Sequence, residues 1–303
     1  MVGMIIILLI ALVFPGIILR TKSVLSGRKG PGFFQPLRDW WVLMRKGRVV
    51  SNSTSMIFQI APSIQLAATM VVLLVVPVAN QPAVLGFEGD FVFFAYVLAV
   101  GRFFMILAAL DAGSSFEGMG ANREALFGLL VEPAFFILLG TFAMLTGYTS
   151  FTELFTSFRV DGSPFVFIFG LIACYLLVQI AMIETSRMPL DDPKTHLELT
   201  MIHEVMILDY SGFDKALIHL GTAIKSVVFG SLIANALLSF EPGLGWQLIL
   251  FVLIQVVFAI IIGISESFRA RNKMFRNAQY ILTLSAISLL AFVVVLIITH
   301  KLP

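Results

Sequence analysis

The stretch from Ile183 to Gly212 reads IETSRMPLDDPKTHLELTMIHEVMILDYSG, a dense polar segment in an otherwise apolar chain. It holds three Glu, three Asp, two His, one Arg and one Lys, and long hydrophobic runs flank it on both sides. Because so many charges cannot face hydrocarbon, the stretch must lie outside a bilayer or in a water-accessible cavity within protein. It is where we expect the chain to meet a partner and to handle charge.

The composition around this stretch is that of a membrane protein. The chain has 303 residues, of which 59% are hydrophobic and only 13% charged, whereas a soluble domain carries about 25% charged residues. A helix needs about 20 apolar residues to cross a bilayer, and the chain holds about eight such runs. We therefore predict an all-α, polytopic membrane protein. The net charge of +2 gives no support for nucleic-acid binding.

The hydrophobic runs give eight predicted spans. In chain order they are about Val2–Leu19, Met56–Ala79, Phe91–Leu110, Ala125–Gly147, Pro164–Glu184, Ile218–Phe240, Trp246–Glu266 and Ala278–Thr299. The first run lacks a basic n-region and a small-residue cleavage site, so we interpret it as a retained span. There is no internal repeat or disordered linker in the sequence, and residues 1–303 are predicted to form one transmembrane domain.

The basic residues give an orientation. The loops that follow spans 1, 3, 5 and 7 carry 16 of the 20 Lys and Arg, and the opposite side carries only Arg159 and Lys301. By the positive-inside rule the basic loops, including the long polar loop between spans 5 and 6, face the cytoplasm. With eight spans, both termini are predicted on the non-cytoplasmic side of a cell inner membrane.

Three ionisable residues lie inside predicted spans: Arg102, Glu132 and Lys225. Each is about 7–9 residues from the cytoplasmic end of its span, which is roughly 10–13 Å of depth. Each would cost about 2.5–3.5 kcal/mol facing lipid, so they should face inward and share a polar layer. The layer is either a structural cluster that locks helix packing or a hydrated cavity that passes protons. In the second case Glu132, followed by the kinking Pro133, is the best titrating site.

Two further carboxylates end predicted spans, Glu184 in span 5 and Glu266 in span 7. Each has an arginine three residues later, Arg187 and Arg269. This spacing allows an ion pair at a helix end, and an interfacial pair of that kind contributes little to stability.

The sequence offers no independent catalytic or metal centre. A single cysteine, Cys174, lies in an apolar run and cannot form a disulfide or an iron–sulfur site. His203-Glu204 lacks the second histidine of the HExxH zinc motif. An apolar stripe at helical spacing, formed by Leu197, Met201, Val205 and Leu208, predicts an amphipathic helix whose acidic face points to solvent or a partner.

Three segments together resemble the complex I subunit 1 family: Gly27–Gly47 (GRKGPGFFQPLRDWWVLMRKG), Gly101–Pro133 (GRFFMILAALDAGSSFEGMGANREALFGLLVEP) and Arg187–Gly212. The family comprises the heel subunit of NADH:quinone oxidoreductase and its relatives in formate hydrogenlyase and group 4 energy-converting [NiFe] hydrogenases. The second segment is most similar to the formate hydrogenlyase membrane subunit. In the third, the complex I pattern Arg-x-Pro-Phe-Asp is followed by several Glu and then Glu-Tyr-Ser; here Asp209 replaces the Glu before Tyr210.

The resemblance implies a subunit that holds no redox centre and anchors a peripheral arm. The NiFe centre and iron–sulfur clusters would belong to hydrogenase-like large and small subunits, and antiporter-like membrane subunits would move the ions. It also implies a proton path and a docking face. By resemblance, the path or its mouth is lined by Asp111, Glu117, Arg123, Glu124 and Glu132. The charged residues found above within the spans and at their ends, Arg102, Lys225, Glu184 and Glu266, are predicted to belong to the same path. Those implied for docking are Arg28, Lys29, Arg38, Asp39, Arg187, Asp191, Glu198, Glu204 and Asp209.

Two alternatives stand beside this hypothesis. The chain could be a true quinone-binding heel subunit of complex I, which requires a quinone tunnel between this chain and the arm. It could also be a free-standing secondary transporter, which predicts inverted repeats and broken helices at the midplane. The sequence shows neither of those last two features, so the anchoring and proton-coupling subunit is the favoured hypothesis.

Overall fold

A computed structural model describes residues 2–51, 53–79, 81–158, 164–191, 201–238 and 243–299. Within these ranges the chain forms eleven α-helices and no extended strand. The helices are α1 (Val2–Leu25), α2 (Gln35–Arg45), α3 (Met56–Val75), α4 (Asp90–Asp111), α5 (Ser115–Thr146), α6 (Phe151–Ser157), α7 (Pro164–Glu184), α8 (His203–Met206), α9 (Gly212–Leu237), α10 (Leu244–Phe268) and α11 (Met274–Ile298). Eight of them are long and apolar enough to cross a membrane, which confirms the predicted polytopic all-α fold.

The predicted spans match these eight helices, but one predicted loop is mostly helix. Helix α5 begins at Ser115, ten residues before the predicted start of span 4. The Ser114 hydroxyl accepts a hydrogen bond from the backbone N–H of Phe116, and it also contacts the Glu117 carboxylate. A serine before the helix and a glutamate three residues later match the sequence pattern of a capping box. Here the serine hydroxyl caps the Phe116 N–H and the glutamate bonds that hydroxyl, which stabilises a helix start at this point.

The first polar loop contains a helix that the hydrophobic pattern did not predict. Helix α2 has Pro36 in its first turn, where a missing N–H costs nothing. The Trp40 indole N–H donates to the Ala216 carbonyl of α9 at 3.2 Å, while Trp41 and Val42 are exposed. The helix therefore lies on the end of the bundle with one face against α9.

The predicted amphipathic helix after span 5 is seen only in part. Helix α8 covers only His203–Met206. Val205 within it and Met201 before it are buried as the stripe predicts, whereas Leu208 after it is exposed against the prediction. Leu197 lies outside the described residues.

The core of the bundle is rich in phenylalanine. The rings of Phe94, Phe135 and Phe229, from α4, α5 and α9, lie 5.6–6.3 Å apart centroid to centroid. Phe151 of α6 packs edge-on against Phe94 at 5.4 Å. Phe94 and Phe135 are stacked, and the other three contacts are edge-to-face. These ring contacts stabilise the packing of α4, α5, α6 and α9.

The polar segments gather at one end of the bundle, here named the polar end (residues 20–51, 53–55, 111–124, 185–191, 201–212 and 269–273). The Val49 N–H donates to the Ser211 hydroxyl at 3.0 Å, and the Ser55 N–H donates to Asp111 at 2.7 Å. Arg123 donates to the Met201 carbonyl at 2.9 Å. The Arg123 bond joins the second resemblance segment to the third. A Cβ on Gly212 would overlap the Gly47 carbonyl oxygen, so the first segment also contacts the third.

Candidate functional site: a buried charge network

Four ionisable side chains from four helices meet inside the bundle. Glu184, the last residue of α7, is bound by Arg102 of α4 and by Lys225 of α9, whose Nζ lies 2.7 Å from Oε2. Glu132 of α5 lies 3.6 Å from the Arg102 guanidinium. The predicted layer of Arg102, Glu132 and Lys225 is thus assembled, with Glu184 at its centre. Two cations face two carboxylates, so the network is formally neutral.

Small residues make room for this network. A Cβ placed on Gly128 of α5 would overlap the Arg102 guanidinium, so a larger residue here would require the arginine to move. A Cβ placed on Gly101, beside Arg102, would lie 3.1 Å from the Ala68 Cβ and 3.5 Å from the Gln65 Cα on α3, so the glycine relieves a tight contact between α4 and α3. Close approach at small residues is a common way for helices to pack in membranes.

Glu132 differs from its partners in exposure. Its side chain is 37% exposed, against 8% for Glu184. It lies on the same outer face of α5 as Leu129, which is also exposed. A small cavity of about 20 Å³ lies between Glu132, Arg102 and Glu184. Glu132 therefore links the interior of the network to the outer surface of the bundle.

A polar cavity connects the network to the polar end. It has a volume of about 40 Å³, more than the roughly 10–15 Å³ that one water molecule requires. Its lining includes Arg102, Glu184 and Lys225 on one side and Glu124 and His203 on the other. The side-chain oxygen of Gln65, which also lines it, is buried with no protein hydrogen-bond partner. The chemistry of this lining suits ordered water.

The i,i+3 ion pairs predicted at the helix ends are wrong. Arg187 donates to Glu266 at 3.0 Å, and Lys22 of α1 donates to the second Glu266 oxygen at 2.8 Å. The reason is the turn after α7. Ser186 adopts a positive φ of 51°, and the Arg187 N–H bonds back to the Met182 carbonyl at 2.7 Å. This C-terminal motif turns the chain sharply and carries Arg187 to α10 instead of Glu184.

Asp191 organises the loop that follows. It is 1% exposed and accepts from Arg271 at 2.7 Å and from the backbone N–H groups of Ile202 and His203, both at 3.0 Å. The carboxylate thus links the end of the turn after α7 to the start of α8 and to the loop before α11. Asp191 is an internal brace, and any effect on docking acts through the shape of this loop. Glu198 lies outside the described residues.

The remaining predicted residues fall into three groups. Glu117 is buried beside Ser114, and Asp111 and Glu124 are half-buried. Glu204 is half-buried 3.9 Å from Lys215, and Arg187 is half-buried beside Glu266. Five predicted docking residues are exposed on the polar end: Arg28, Lys29, Arg38, Asp39 and Asp209.

A second, larger cavity of about 320 Å³ lies between α1, α2 and α9. Its walls are mainly apolar and include Leu12, Leu37 and Ala223. Its polar lining is Asp39, Trp40, Thr185, Ser186, Arg187, His203, Glu204, His219, Thr222 and Glu266. An apolar pocket with convergent polar groups is the usual form of a small-molecule site.

Tyr210 fixes the start of α9. Its ring stacks on Phe58 at 4.1 Å and its hydroxyl donates to the Phe58 carbonyl at 2.8 Å. Burial, with nearby Asp214 and Asp111, raises the pKa of the Tyr210 hydroxyl well above its usual value. The hydroxyl therefore stays protonated and acts as a structural donor. Among the described residues, no group of three His, Cys, Asp or Glu side chains could hold a metal ion.

The fold and this site define a polytopic helical membrane protein whose interior carries a paired charge network open towards one end. The family model described as NADH dehydrogenase matches residues 1–299. The chain belongs to this family, of which the complex I subunit 1 proteins are members.

Among curated relatives, Hydrogenase-4 component C of Escherichia coli K12 is 30% identical over 237 residues, covering 78% of this chain and 73% of the relative. Formate hydrogenlyase subunit 4 of the same organism is 26% identical over 274 residues, covering 88% and 87%. NADH-ubiquinone oxidoreductase chain 1 of Dictyostelium citrinum is 26% identical over 256 residues, covering 78% and 77%.

The fold is also that of a chain in the structure of a membrane-bound sulfane sulfur reductase, described as an archaeal respiratory membrane complex. The TM-score is 0.81 with 96% of each chain covered. At 18% identity, this likeness establishes the fold alone.

Proposed function

We propose that this chain is the membrane-anchoring and proton-coupling subunit of an energy-converting [NiFe] hydrogenase or formate hydrogenlyase-like complex. It would dock a peripheral redox arm and link electron transfer to ion translocation. The observation that carries the proposal is the buried network of Arg102, Glu184 and Lys225, with Glu132 at its edge. The similarity to hydrogenase-4 and formate hydrogenlyase membrane subunits supports this branch of the family over complex I.

The network supplies what a proton relay needs. Glu184 is held by two cations and serves as the fixed anion, whereas Glu132 makes only the longer 3.6 Å contact and is partly exposed. Glu132 is therefore the carboxylate whose charge can change at the lower cost. Protons would enter through the cavity beside Glu124 and His203 and leave at Glu132.

Glu132 also indicates where a membrane partner binds. A carboxylate exposed to hydrocarbon costs about 2.5–3.5 kcal/mol, and the exposed Leu129 lies one turn away on the same face. A helix of an antiporter-like subunit that covers this face would shield the carboxylate and receive its proton.

The polar end is the proposed docking face for the hydrogenase-like large and small subunits. It carries exposed charges of both signs, including Arg38, Asp39 and Asp209. We place it in the cytoplasm because most of the Lys and Arg are found there, and both termini on the other side of the inner membrane. The NiFe centre and iron–sulfur clusters would lie in the docked subunits.

The test of coupling is Glu132→Gln, which keeps the shape of the side chain and removes its charge. In the assembled complex, we expect proton pumping into vesicles to fall at least tenfold while the electron-transfer activity of the arm remains. Glu153→Gln, an exposed glutamate on α6 at the opposite end of the bundle, is the matched control and should pump normally. Full pumping by an intact Glu132→Gln complex would remove Glu132 from the path.

The test of docking is Arg187→Ala, which releases one of the two cations on Glu266. We expect the peripheral arm to be lost on detergent extraction, because the turn after α7 loses its anchor to α10. Arg276→Ala, an exposed arginine in the first turn of α11, serves as the control. An arm retained equally by both variants would count against a docking role for this turn.

A second function, quinone binding as in complex I, is favoured by the apolar cavity between α1, α2 and α9. We would first assay nickel and hydrogen–viologen activity in the tagged complex. Nickel with hydrogen activity supports the hydrogenase hypothesis. An intact arm without nickel, together with a quinone-reductase activity that Ala223→Leu abolishes by filling the cavity, supports the quinone hypothesis.

A further inference from the structure

A cleft at the polar end combines basic and apolar walls. It has a volume of about 410 Å³ and lies where α1 and α10 end. Its basic wall is formed by Lys22, Arg28 and Lys29. Its apolar wall includes Leu19, Leu25 and Phe268. None of these six residues lines the polar cavity beside Glu184.

The basic side chains are held at the rim by the turn that ends α1. The Gly27 N–H donates to the Val24 carbonyl at 3.1 Å and the Arg28 N–H to the Ser23 carbonyl at 3.2 Å. This pair of bonds requires a left-handed residue after the helix, and Gly27 has φ +64°. Gly30 then packs so tightly on Ser23 that a Cβ would overlap its hydroxyl. The chain is thereby folded back over the helix end.

The cleft carries an excess of positive charge. Within the described ranges, Arg28 and Lys29 form no ion pair. Lys22 binds Glu266, but Glu266 is shared with Arg187, so this group also keeps one positive charge. An anionic ligand would neutralise charge that the chain itself leaves uncompensated.

Three serines in the wall have their protons committed to the backbone. The hydroxyls of Ser23, Ser26 and Ser267 donate to the carbonyls of residues 19, 23 and 263 at 2.8, 3.1 and 2.7 Å. Their oxygens remain acceptors. The cleft thus offers cations to an anion and acceptors to a hydroxyl on the same ligand.

The position is that of a membrane interface, because two hydrophobic spans, Gly3–Leu25 and Gly245–Phe268, end here. Phe268 is 75% exposed at the mouth of the cleft. We propose that the cleft binds an anionic glycerophospholipid, with the phosphate on Arg28 and Lys29, head-group hydroxyls on the serines and an acyl chain along Leu25 and Phe268. Phosphatidylglycerol has this chemistry. Free phosphate would leave the apolar wall unused.

The test uses the detergent-purified assembly that contains the full chain, washed free of lipid. Phosphatidylglycerol, phosphatidylcholine and inorganic phosphate are titrated separately, and bound lipid is counted by native mass spectrometry. A basic side chain near an anionic lipid contributes about fivefold in affinity. Arg28→Ala/Lys29→Ala should therefore weaken phosphatidylglycerol binding about thirtyfold. Lys273→Ala/Arg276→Ala, which removes two exposed basic residues outside the cleft, should change it less than twofold.

Four results would overturn the proposal. Equal losses in both double variants would indicate general surface attraction, and competition by inorganic phosphate as strong as that by the lipid would indicate an anion site. Loss of the peripheral arm with lipid affinity unchanged would assign Arg28 and Lys29 to docking. If the variants do not assemble, the titration of the unmodified assembly still tests the proposal. Binding of phosphatidylcholine as tightly as phosphatidylglycerol would contradict an anionic-lipid site.

Discussion

Replacing Glu184 with Gln would remove the carboxylate that two cations share. The side chain is 8% exposed, Lys225 lies 2.7 Å away and Arg102 also binds it. The network would change from neutral to one net positive charge, with Lys225 left without its carboxylate. Breaking a buried ion pair by removing one partner costs about 3–5 kcal/mol, because the remaining charge is buried uncompensated.

The double variant Glu184→Gln/Lys225→Gln restores neutrality. Arg102 keeps Glu132 as a partner 3.6 Å away, and the uncompensated charge of Lys225 is removed. We expect the double variant to recover about 2–3 kcal/mol relative to the Glu184→Gln variant. Measuring Lys225→Gln alone completes the cycle and gives the coupling energy between the two residues.

The assay is thermal unfolding of the purified assembly in detergent. Unfolding is monitored as the loss of the monodisperse peak on size-exclusion chromatography. A chain of this size shifts its midpoint by about 2 °C per kcal/mol. We expect Glu184→Gln to lower the midpoint by roughly 6–10 °C and the double variant to recover about half of that loss. Additive losses, with the double variant less stable than either single variant, would refute the idea that Lys225 depends on Glu184.

Three further outcomes follow from the packing. Gly128→Ala should disturb the network by displacing Arg102, and we expect reduced proton pumping with an assembled complex; pumping equal to the unmodified protein would contradict the tight fit. Tyr210→Phe should lower the free energy of unfolding by about 1 kcal/mol in the same thermal assay, which is the value of one net hydrogen bond. Because the Tyr210 hydroxyl stays protonated, the stability difference between the two proteins should be the same from pH 6 to pH 9. Asp191→Ala should cost about 3–5 kcal/mol because it removes the buried carboxylate that pairs with Arg271, whereas a loss below 1 kcal/mol would show that the brace is unimportant.

The sequence predicts the spans and the meeting of Arg102, Glu132 and Lys225 for one physical reason. Charges in apolar helices are costly unless they face one another, so the inward orientation of Arg102 and Lys225 follows from composition. Glu132 departs from this prediction, because its side chain is 37% exposed on the outer face of α5 although it contacts Arg102. The partner of Lys225 does not follow. Glu184 has Arg187 three residues away, a plausible local partner. The tertiary turn at Ser186 overrides that pairing, and nothing in the hydrophobic pattern signals a left-handed serine.

Helix α2 and the start of α5 were missed for a different reason. Both lie outside the long apolar runs, so the hydropathy pattern does not predict a helix there. Their signals are short and local, Pro36 in the first turn of α2 and the Ser114–Glu117 capping-box pattern at the start of α5. The second cavity was also beyond prediction, since it arises from the way α2 folds back against α1 and α9.

The length of α5 has a mechanical consequence. At 1.5 Å per residue its 32 residues extend about 48 Å, against about 30 Å of hydrocarbon. Outside the membrane, the hydrogen bond from Arg123 to the Met201 carbonyl holds this helix. Within the membrane, the same helix carries Glu132. Pro133 lacks the N–H that would bond to the carbonyl of residue 129, so the helix is weakest beside the glutamate. A displacement of the part of α5 outside the membrane would therefore bend the helix mainly near Pro133. The contact between Glu132 and Arg102 lies at that point.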